Sequence, residues 1–232
     1  MSKINIVRIH NELLGTYGDQ GNAEVLVFRG KFHGITGNII DVGYNDPLPT
    51  NGDIYLLGGA EDAAQLLSLE AINRDRETLD LVIERGAVIL AVCAGFQIIG
   101  NSFWAAGKEV AGLGLLDVES IPGEKRFVGD IKIKSTNLDI ELTGFENHAG
   151  RTILGPSATP FGKVQAGHGN GDGKFDGAVS GNIFGTYLHG PILARNPEFA
   201  DLLLTRATGR KYSQITDPLA VQYANWRRKV TK

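Results

Sequence analysis

Short apolar runs alternate with segments of helical periodicity over the first part of the chain. Runs rich in β-branched residues predict buried strands, and apolar residues three and four apart predict helices. The predicted strands are Ile4–Ile9, Ile35–Val42, Asp53–Leu57 and the run from Val88 that ends at Cys93. The predicted helices are Ala23–Phe32, capped by Asn22, and Ala60–Arg85, with a break near Asn73. Such alternation is typical of a parallel sheet covered by helices on both faces, with ligand sites where the strands end.

Shorter segments of alternating polarity replace this pattern between Val110 and Tyr187 and predict antiparallel strands. These strands are Leu115–Ser120, Phe127–Lys134, Asp139–Phe145, Gly162–Ala166 and Asn182–Tyr187. They would form either an edge extension of the main sheet or a small second sheet packed on it. Closing helices are predicted over Asn196–Thr208 and Pro218–Lys229. We expect one α/β domain over residues 1–232.

The only cysteine of the chain, Cys93, stands where a buried strand gives way to a short helical segment. Ala91 and Gly95 flank it at two positions on either side, and small residues are what a sharp strand-to-helix elbow requires. A thiol there would lie at a helix N-terminus, whose partial positive charge favours the thiolate. A lone cysteine is otherwise often a small buried apolar residue. The elbow pattern favours a nucleophile.

A nucleophilic thiol needs a base, which can come from anywhere along the chain. Among five histidines, His189 is the best placed, because the strand-like run that begins at Ile183 leads through it into a Gly190-Pro191 turn. The imidazole would therefore lie at a strand end. Cys93 and His189 are our candidate catalytic pair.

Composition narrows the possible partners. A formal net charge of −3 with 21% charged residues gives no basic surface for nucleic acid. One cysteine allows no internal disulfide, and no run approaches the ~20 apolar residues of a membrane span. The N-terminal residues read as a strand and not as a signal sequence, so we expect a cytoplasmic protein.

Two motifs carry a family resemblance. Ala91–Gln97 (Ala-Val-Cys-Ala-Gly-Phe-Gln) and Gly185–Gly190 (Gly-Thr-Tyr-Leu-His-Gly) resemble motifs of the class I glutamine amidotransferases, in the cobyric acid synthase-like branch. The resemblance implies a three-layer, flavodoxin-like α/β fold with an additional antiparallel portion. It also implies that Cys93 attacks the side-chain amide of glutamine to give a γ-glutamyl thioester. His189 would protonate the departing ammonia and later activate water.

The same resemblance implies how glutamine is held. The oxyanion would lie between the backbone N–H groups of Ala94 and of the Gly58-Gly59 turn, where we assign Gly59. Arg126 matches the arginine that binds the α-carboxylate, although the adjacent Lys125 is an alternative. Gln97, four residues after the nucleophile, either contacts the substrate or caps backbone.

Further motifs resemble the glutaminase subunits of lipid II isoglutaminyl synthases, which work with a Mur-ligase-like partner subunit. These motifs are Tyr17–Asn22, Arg126–Asp130, Phe145–Thr152 and Gly167–Gly171. The resemblance implies that ammonia passes to the partner, which amidates D-glutamate of the lipid II stem peptide to D-isoglutamine and meets lipid II at the inner face of the membrane. Glu146 and His148 would shape the mouth of the site or the partner surface, or make structural hydrogen bonds.

Two absences also point to a partner. Pro191 stands two positions after His189, where most class I enzymes carry an acid, so we expect the partner to supply the third catalytic group and the isolated chain to be weakly active. The chain has no G-x-x-x-x-G-K-[ST] motif, so no cofactor is expected here and ATP and magnesium are expected on the partner.

Two alternatives stay open. One is an amidotransferase of the same branch that acts on a corrinoid carboxylate. A full cobyric acid synthase would carry a fused N-terminal ATP-binding domain, whereas this chain is expected to begin at the first strand of the amidotransferase domain. The other is a non-catalytic scaffold with the same fold, which the presence of both Cys93 and His189 disfavours.

Overall fold

A computed structural model describes residues 2–136, 139–212 and 217–231. The strands are β1 (Ser2–Ile9), β2 (Ile35–Val42), β3 (Ile54–Leu57), β4 (Val88–Val92), β5 (Ser102–Ala105), β6 (Lys108–Ala111), β7 (Val118–Ser135), β8 (Glu141–Leu154), β9 (Gly162–Ala166), β10 (Phe175–Asp176), β11 (Ala178–Ser180) and β12 (Ile183–Thr186). The helices are α1 (Asn11–Leu14), α2 (Gly21–Phe32), α3 (Asp62–Arg74), α4 (Arg76–Glu84), α5 (Ala94–Ile98), α6 (Ile192–Arg195), α7 (Pro197–Thr208) and α8 (Pro218–Val230).

The first sheet runs in the order β11-β12-β4-β3-β1-β2. Its pairings are parallel except that β11 is antiparallel to β12. Every residue of β3, β4 and β12 is buried, as expected of strands covered on both faces. Helices α2 and α7 pack on each other and contact the sheet, and α5 contacts β3 and β4. The predicted α/β fold is confirmed.

The order of the central strands brings three chain segments to one edge of this sheet. β4 lies between β3 and β12, with Leu57 opposite Ala91 and Thr186 opposite Val92. The residues that follow these strands, including Cys93, therefore meet where the parallel strands end. In open α/β sheets this edge is where ligands bind.

The second sheet is separate from the first and runs β10-β9-β7-β5-β6, with β8 paired to β7. It is a second sheet and not an edge extension. β7 is one strand whose pairing with β8 is irregular between Pro122 and Phe127, and it replaces two of the predicted strands. Strands β5 and β6 were not predicted.

Two sequence predictions were wrong. The segment Asn182–Tyr187 was grouped with the antiparallel strands, but its core is β12, which pairs in parallel with β4. A wholly buried four-residue strand carries no alternation that reveals its pairing. Asn22 does not cap α2 but lies inside it, and its Oδ1 accepts the Leu193 N–H at 3.0 Å.

No helix in residues 2–136, 139–212 and 217–231 is long and apolar enough to cross a membrane.

Candidate active site

Cys93 occupies a strained elbow between β4 and α5. Its backbone has φ 55° and ψ −108°, a conformation that non-glycine residues rarely adopt and that costs on the order of 1–3 kcal/mol. Its N–H donates to Thr186 O at 2.9 Å, which ties the elbow to β12. A Cβ at Gly95 would lie 2.9 Å from Leu57 O, so a small residue is required there. The predicted elbow geometry is present.

His189 has a carboxylate partner from the same chain. Its Nδ1 lies 2.9 Å from Asp19 Oδ2, across 170 residues of sequence, and both residues are only 3% exposed. The premise behind the expected partner contribution, that no acid of this chain reaches His189, was wrong, because the fold supplies Asp19 from the loop before α2. Pro191 packs on that loop, and a Cβ at Gly21 would lie 2.5 Å from Pro191 Cγ.

The charge of His189 is set by this carboxylate. Burial by itself lowers the pKa of His189, but the hydrogen bond to Asp19, the charge of Asp19 and the nearby Cys93 outweigh burial and raise this pKa to about 10. Nε2, the ring nitrogen not used by Asp19, has no hydrogen-bond partner in the described part of the chain. The imidazolium form is therefore favoured at neutral pH, with one nitrogen available for proton transfer.

A second buried carboxyl supports the strand end that leads to His189. Asp176 is fully buried and accepts hydrogen bonds from Thr186 Oγ1 at 2.5 Å and from the Tyr187 N–H at 3.3 Å. Burial raises the pKa of Asp176 to about 7. Because Thr186 O also accepts the Cys93 N–H, one residue connects Asp176 to the elbow.

A pocket of about 310 Å³ opens beside Cys93. Its polar lining includes Tyr17, Glu61, Asp62, Gln65, Gln97, Arg126, Asn147 and His148. This volume lies at the lower end of the range for small-molecule sites. Cys93 thus lines a cavity that could hold a small polar molecule.

Arg126 and Tyr17 form the outer wall of this pocket. Arg126 Nε donates to Asn147 Oδ1 at 2.6 Å, and Nη2 donates to the Tyr17 hydroxyl at 2.9 Å. The Tyr17 ring lies against the His189 ring, with 4.9 Å between centroids. Lys125 instead extends over Phe127, 5.7 Å from its ring centroid. Arg126, not Lys125, is therefore the cation in the pocket wall.

Comparison with known proteins assigns the chain to a family. Residues 5–197 match the CobB/CobQ-like glutamine amidotransferase domain. The chain belongs to this family. It is 37% identical over 216 residues to the lipid II isoglutaminyl synthase (glutamine-hydrolyzing) subunit GatD of Streptococcus pneumoniae, covering 91% of this chain and 83% of that protein. The same subunit of Staphylococcus aureus is 35% identical over 214 residues, covering 91% and 87%.

A shorter sequence match and a match to a solved structure add to these relatives. A cobyric acid synthase of Brucella abortus is 38% identical over 152 residues, which cover 62% of this chain but only 30% of that protein. A solved glutamine amidotransferase structure superposes with a TM-score of 0.61 at 14% identity, covering 88% of this chain and 98% of that one. The structural likeness concerns the fold alone. The resemblance drawn from the sequence motifs is confirmed.

Gln97 of the amidotransferase lines the pocket and is held by other side chains. Its Oε1 accepts from Gln65 Nε2 at 2.9 Å, and its Nε2 donates to the Tyr187 hydroxyl at 3.2 Å. Burial outweighs the opposing hydrogen bonds of Thr152 and Gln97 and raises the pKa of Tyr187 to about 12, so its hydroxyl stays protonated. The structure brings Gln97 to the pocket with its orientation fixed.

Glu146 and His148 are two residues apart on the same face of β8, and His148 Nε2 lies 3.9 Å from Glu146 Oε2. His148 lines the pocket, stacks on Tyr187 at 3.8 Å between centroids, and has a pKa that burial lowers to about 4. Glu146 is buried and accepts hydrogen bonds from His168 Nδ1 at 2.7 Å and from the Gly169 N–H at 3.0 Å. Glu146 therefore orders the loop that follows β9, whereas His148 is a neutral wall residue.

Gly59 and Ala94 both lie beside the thiol. A Cβ at Gly59 would come within 2.8 Å of His189 Cε1 and 3.4 Å of Cys93 Cβ, so glycine allows the turn to approach the reacting groups. The Gly59 N–H donates to Asp19 Oδ2 at 3.1 Å and is committed to that carboxylate. The Ala94 N–H opens α5, where no carbonyl within the helix can accept it.

Asp19, Tyr17 and Glu61 are pocket or catalytic-centre residues that the sequence reasoning did not single out. Asp19 and Tyr17 lie in the Tyr17–Asn22 motif, which contains a single carboxylate, and that carboxylate was the available signal. Glu61 reads in the sequence only as an acidic residue at a helix start. The described residues contain no group of three or more His, Cys, Asp or Glu side chains that could hold a metal ion.

Proposed function

We propose that this amidotransferase is the glutaminase subunit of a lipid II isoglutaminyl synthase. One observation carries the proposal: a buried Cys93–His189–Asp19 arrangement at the edge of the parallel sheet opens into a pocket with an arginine in its wall. The relatives that match 91% of the chain are named as subunits of that glutamine-hydrolyzing synthase.

The chemistry begins with the Cys93 thiolate and the His189 imidazolium. Sulfur attacks the side-chain carbonyl carbon of glutamine, the carbon–nitrogen bond breaks, and His189 gives its proton to the leaving nitrogen, which departs as ammonia. The γ-glutamyl thioester remains. Neutral His189 then takes a proton from water, which attacks the thioester carbonyl and releases glutamate and the thiolate. Asp19 fixes the tautomer of His189 and stabilises its cationic form.

Backbone and side-chain groups hold the substrate during these steps. The Ala94 N–H stabilises the oxyanion, an interaction that is typically worth on the order of 3 kcal/mol. Gly59 contributes the space for the carbonyl, because its own N–H is bound to Asp19. Arg126 binds the α-carboxylate, and Gln97 contacts the substrate amide from the pocket wall.

The partner consumes the ammonia. A cytoplasmic Mur-ligase-like subunit, which binds ATP and magnesium, activates the α-carboxylate of D-glutamate in the stem peptide of lipid II and amidates it. The partner meets lipid II at the inner face of the membrane, and no nucleic acid takes part. The word "subunit" in the names of both relatives supports a complex.

Labelling with a diazoketone analogue of glutamine tests whether the site is catalytic or only a scaffold. We expect one equivalent of label on Cys93 by peptide mass spectrometry, with protection by L-glutamine. Absence of labelling at Cys93 would identify a scaffold.

Nitrogen transfer tests the acceptor. With the Mur-ligase-like partner, ATP, magnesium and [amide-¹⁵N]glutamine, we expect ¹⁵N in the D-isoglutamine of lipid II. Transfer to a corrinoid carboxylate, with none to lipid II, would favour the corrinoid reading, for which a cobyric acid synthase relative is the support.

A further inference from the structure

Two opposite charges flank one phenol oxygen at the mouth of the pocket. The Tyr17 hydroxyl accepts from Arg126 Nη2 at 2.9 Å and donates to Glu61 Oε1 at 2.7 Å. Burial, together with the hydrogen bond to Glu61, raises the pKa of Tyr17 to about 12, so the hydroxyl is protonated and can donate. A guanidinium and a carboxylate are thus both within hydrogen-bond distance of a single oxygen.

Neither charge is neutralised by a direct ion pair with another described residue. Arg126 donates to Asn147 and Tyr17, which are uncharged, and no ion pair of the described chain includes Arg126 or Glu61. Glu61 stands at the N-cap of α3, but its side chain does not cap the helix. Its carboxylate therefore faces the pocket without serving the helix.

The neighbouring acid differs in this respect. Asp62 also lines the pocket, but its Oδ2 accepts the Ala106 N–H at 2.7 Å and so joins α3 to the turn after β5. Of these two adjacent carboxylates, only Glu61 shares a partner with the arginine. An α-amino acid carries an ammonium and a carboxylate on one carbon, and such a pair matches a carboxylate and a guanidinium held side by side.

We propose that Glu61 binds the α-ammonium group of the glutamine substrate while Arg126 binds its α-carboxylate. This inference rests on the proposed function and deepens it: the site selects a free α-amino acid and disfavours glutamine whose nitrogen is acylated or part of a peptide. Tyr17 lies between the two charged groups and packs on His189, so the recognition end of the substrate is positioned by a residue that touches the catalytic base.

A purely structural role for Glu61 makes a different prediction. If Glu61 only fastened the Tyr17 loop to α3, its replacement would affect every amide substrate alike. Recognition of the ammonium group affects only substrates that carry one. The readout is therefore the ratio of kcat/KM for L-glutamine to kcat/KM for glutaramate, which is the same amide without the amino group.

For Glu61→Gln we expect this ratio to fall about 10–100-fold, since hydrogen bonds to charged groups contribute that much. Glu77→Gln, at an exposed acid of α4 that does not line the pocket, is the matched control, and its ratio should stay within about twofold of that of the unsubstituted chain. A ratio that does not change in Glu61→Gln, whatever the individual rates, would overturn the proposal.

Binding on the Cys93→Ala background separates this proposal from the proposed function. Calorimetry should show that Cys93→Ala prefers L-glutamine over glutaramate and that adding Glu61→Gln removes the preference. Preferential binding without ammonia release by the unsubstituted chain would reject the glutaminase function but support the role of Glu61. Equal binding of the two ligands to Cys93→Ala would reject the role of Glu61 even if glutamine is hydrolysed.

Discussion

The proposed catalytic centre (Cys93, His189 and Asp19) and the proposed recognition wall (Arg126 and Glu61) of this amidotransferase differ in burial and in the kind of contact that holds them. Cys93, His189 and Asp19 are 6%, 3% and 3% exposed and follow strands or loops of the parallel sheet. Arg126 and Glu61 are exposed and come from the second sheet and a helix start. Buried charges interact strongly, whereas exposed charges are screened by solvent.

This difference in burial predicts which residues control kcat and which control KM. Changes in the buried centre should lower kcat, because they alter charge and geometry where water is excluded. Changes in the exposed wall should mainly raise KM, because these residues would hold the end of glutamine that does not react and would do so equally in the ground state and the transition state.

Cys93→Ala should reduce ammonia release from glutamine by at least about 10⁴-fold, because no other described residue at the elbow can form the thioester. An ammonia assay measures the loss, and co-purification with the proposed Mur-ligase-like partner should show that partner binding is retained. Residual turnover within tenfold of the unsubstituted rate would mean that Cys93 is not the nucleophile.

Asp19→Asn should lower kcat by about 10²–10⁴-fold, because His189 loses the group that fixes its tautomer and stabilises its cation. Asp41→Asn, which alters an exposed ion pair with Arg8, is the control and should leave kcat unchanged. Equal kcat values for the two variants would show that the contact between Asp19 and His189 has no catalytic role.

The same pair should make stability depend on pH. The folded-state pKa of His189 is raised to about 10, so its contribution to stability is fully present below about pH 6.5 and is lost as the pH rises through 10. In urea unfolding between pH 6 and 10, the unsubstituted chain should therefore lose more stability than Asp19→Asn. Parallel losses in both proteins would contradict the raised pKa.

Gly59→Ala should lower kcat by about 10–10³-fold, because the added Cβ would lie 2.7 Å from Tyr17 Cδ2 and 2.8 Å from His189 Cε1. Gly129→Ala is the matched control, since a Cβ at Gly129 meets no atom within 4 Å. Steady-state kinetics measure kcat, and thermal unfolding verifies that both variants fold. Equal kcat values for the two variants would refute the close approach of Gly59 to His189.

Arg126→Ala should raise KM for glutamine by about 10–100-fold with a smaller effect on kcat, because it removes the cation of the recognition wall. Lys125→Ala should change KM by less than about twofold, since Lys125 extends over Phe127. The reverse pattern in the two variants would assign the α-carboxylate to Lys125.

The sequence predicted the buried centre better than the wall. Cys93 could be placed at an elbow because strand periodicity and small neighbours are local signals, and His189 because its strand leads into a turn. Asp19 could not be paired with His189 by spacing, because the contact spans 170 residues and depends on how the loop before α2 packs on Pro191. Even in the buried centre, the local sequence pattern predicts strands, helices and turns but does not predict which distant side chains contact each other.

Strands β5 and β6 of the second sheet, and Glu61 and Tyr17 of the pocket wall, escaped prediction for a related reason. Strands β5 and β6 have only four residues each, too few to show a period, and β7 pairs irregularly where the sequence reads as a break. Glu61 and Tyr17 can be recognised as candidate substrate-binding residues only in the folded chain. There, Arg126 of β7 and Glu61 both make a hydrogen bond to the Tyr17 hydroxyl. Exposed residues carry no burial pattern that would have identified them.

Glutamine turnover by the isolated chain tests most directly the claim that one chain supplies the whole catalytic centre. With Cys93, His189 and Asp19 already assembled, the chain alone should release ammonia within about tenfold of the rate measured with the proposed Mur-ligase-like partner, and Asp19→Asn should lose that activity in both settings. Turnover that appears only when the partner is added, and that does not depend on Asp19, would contradict the account.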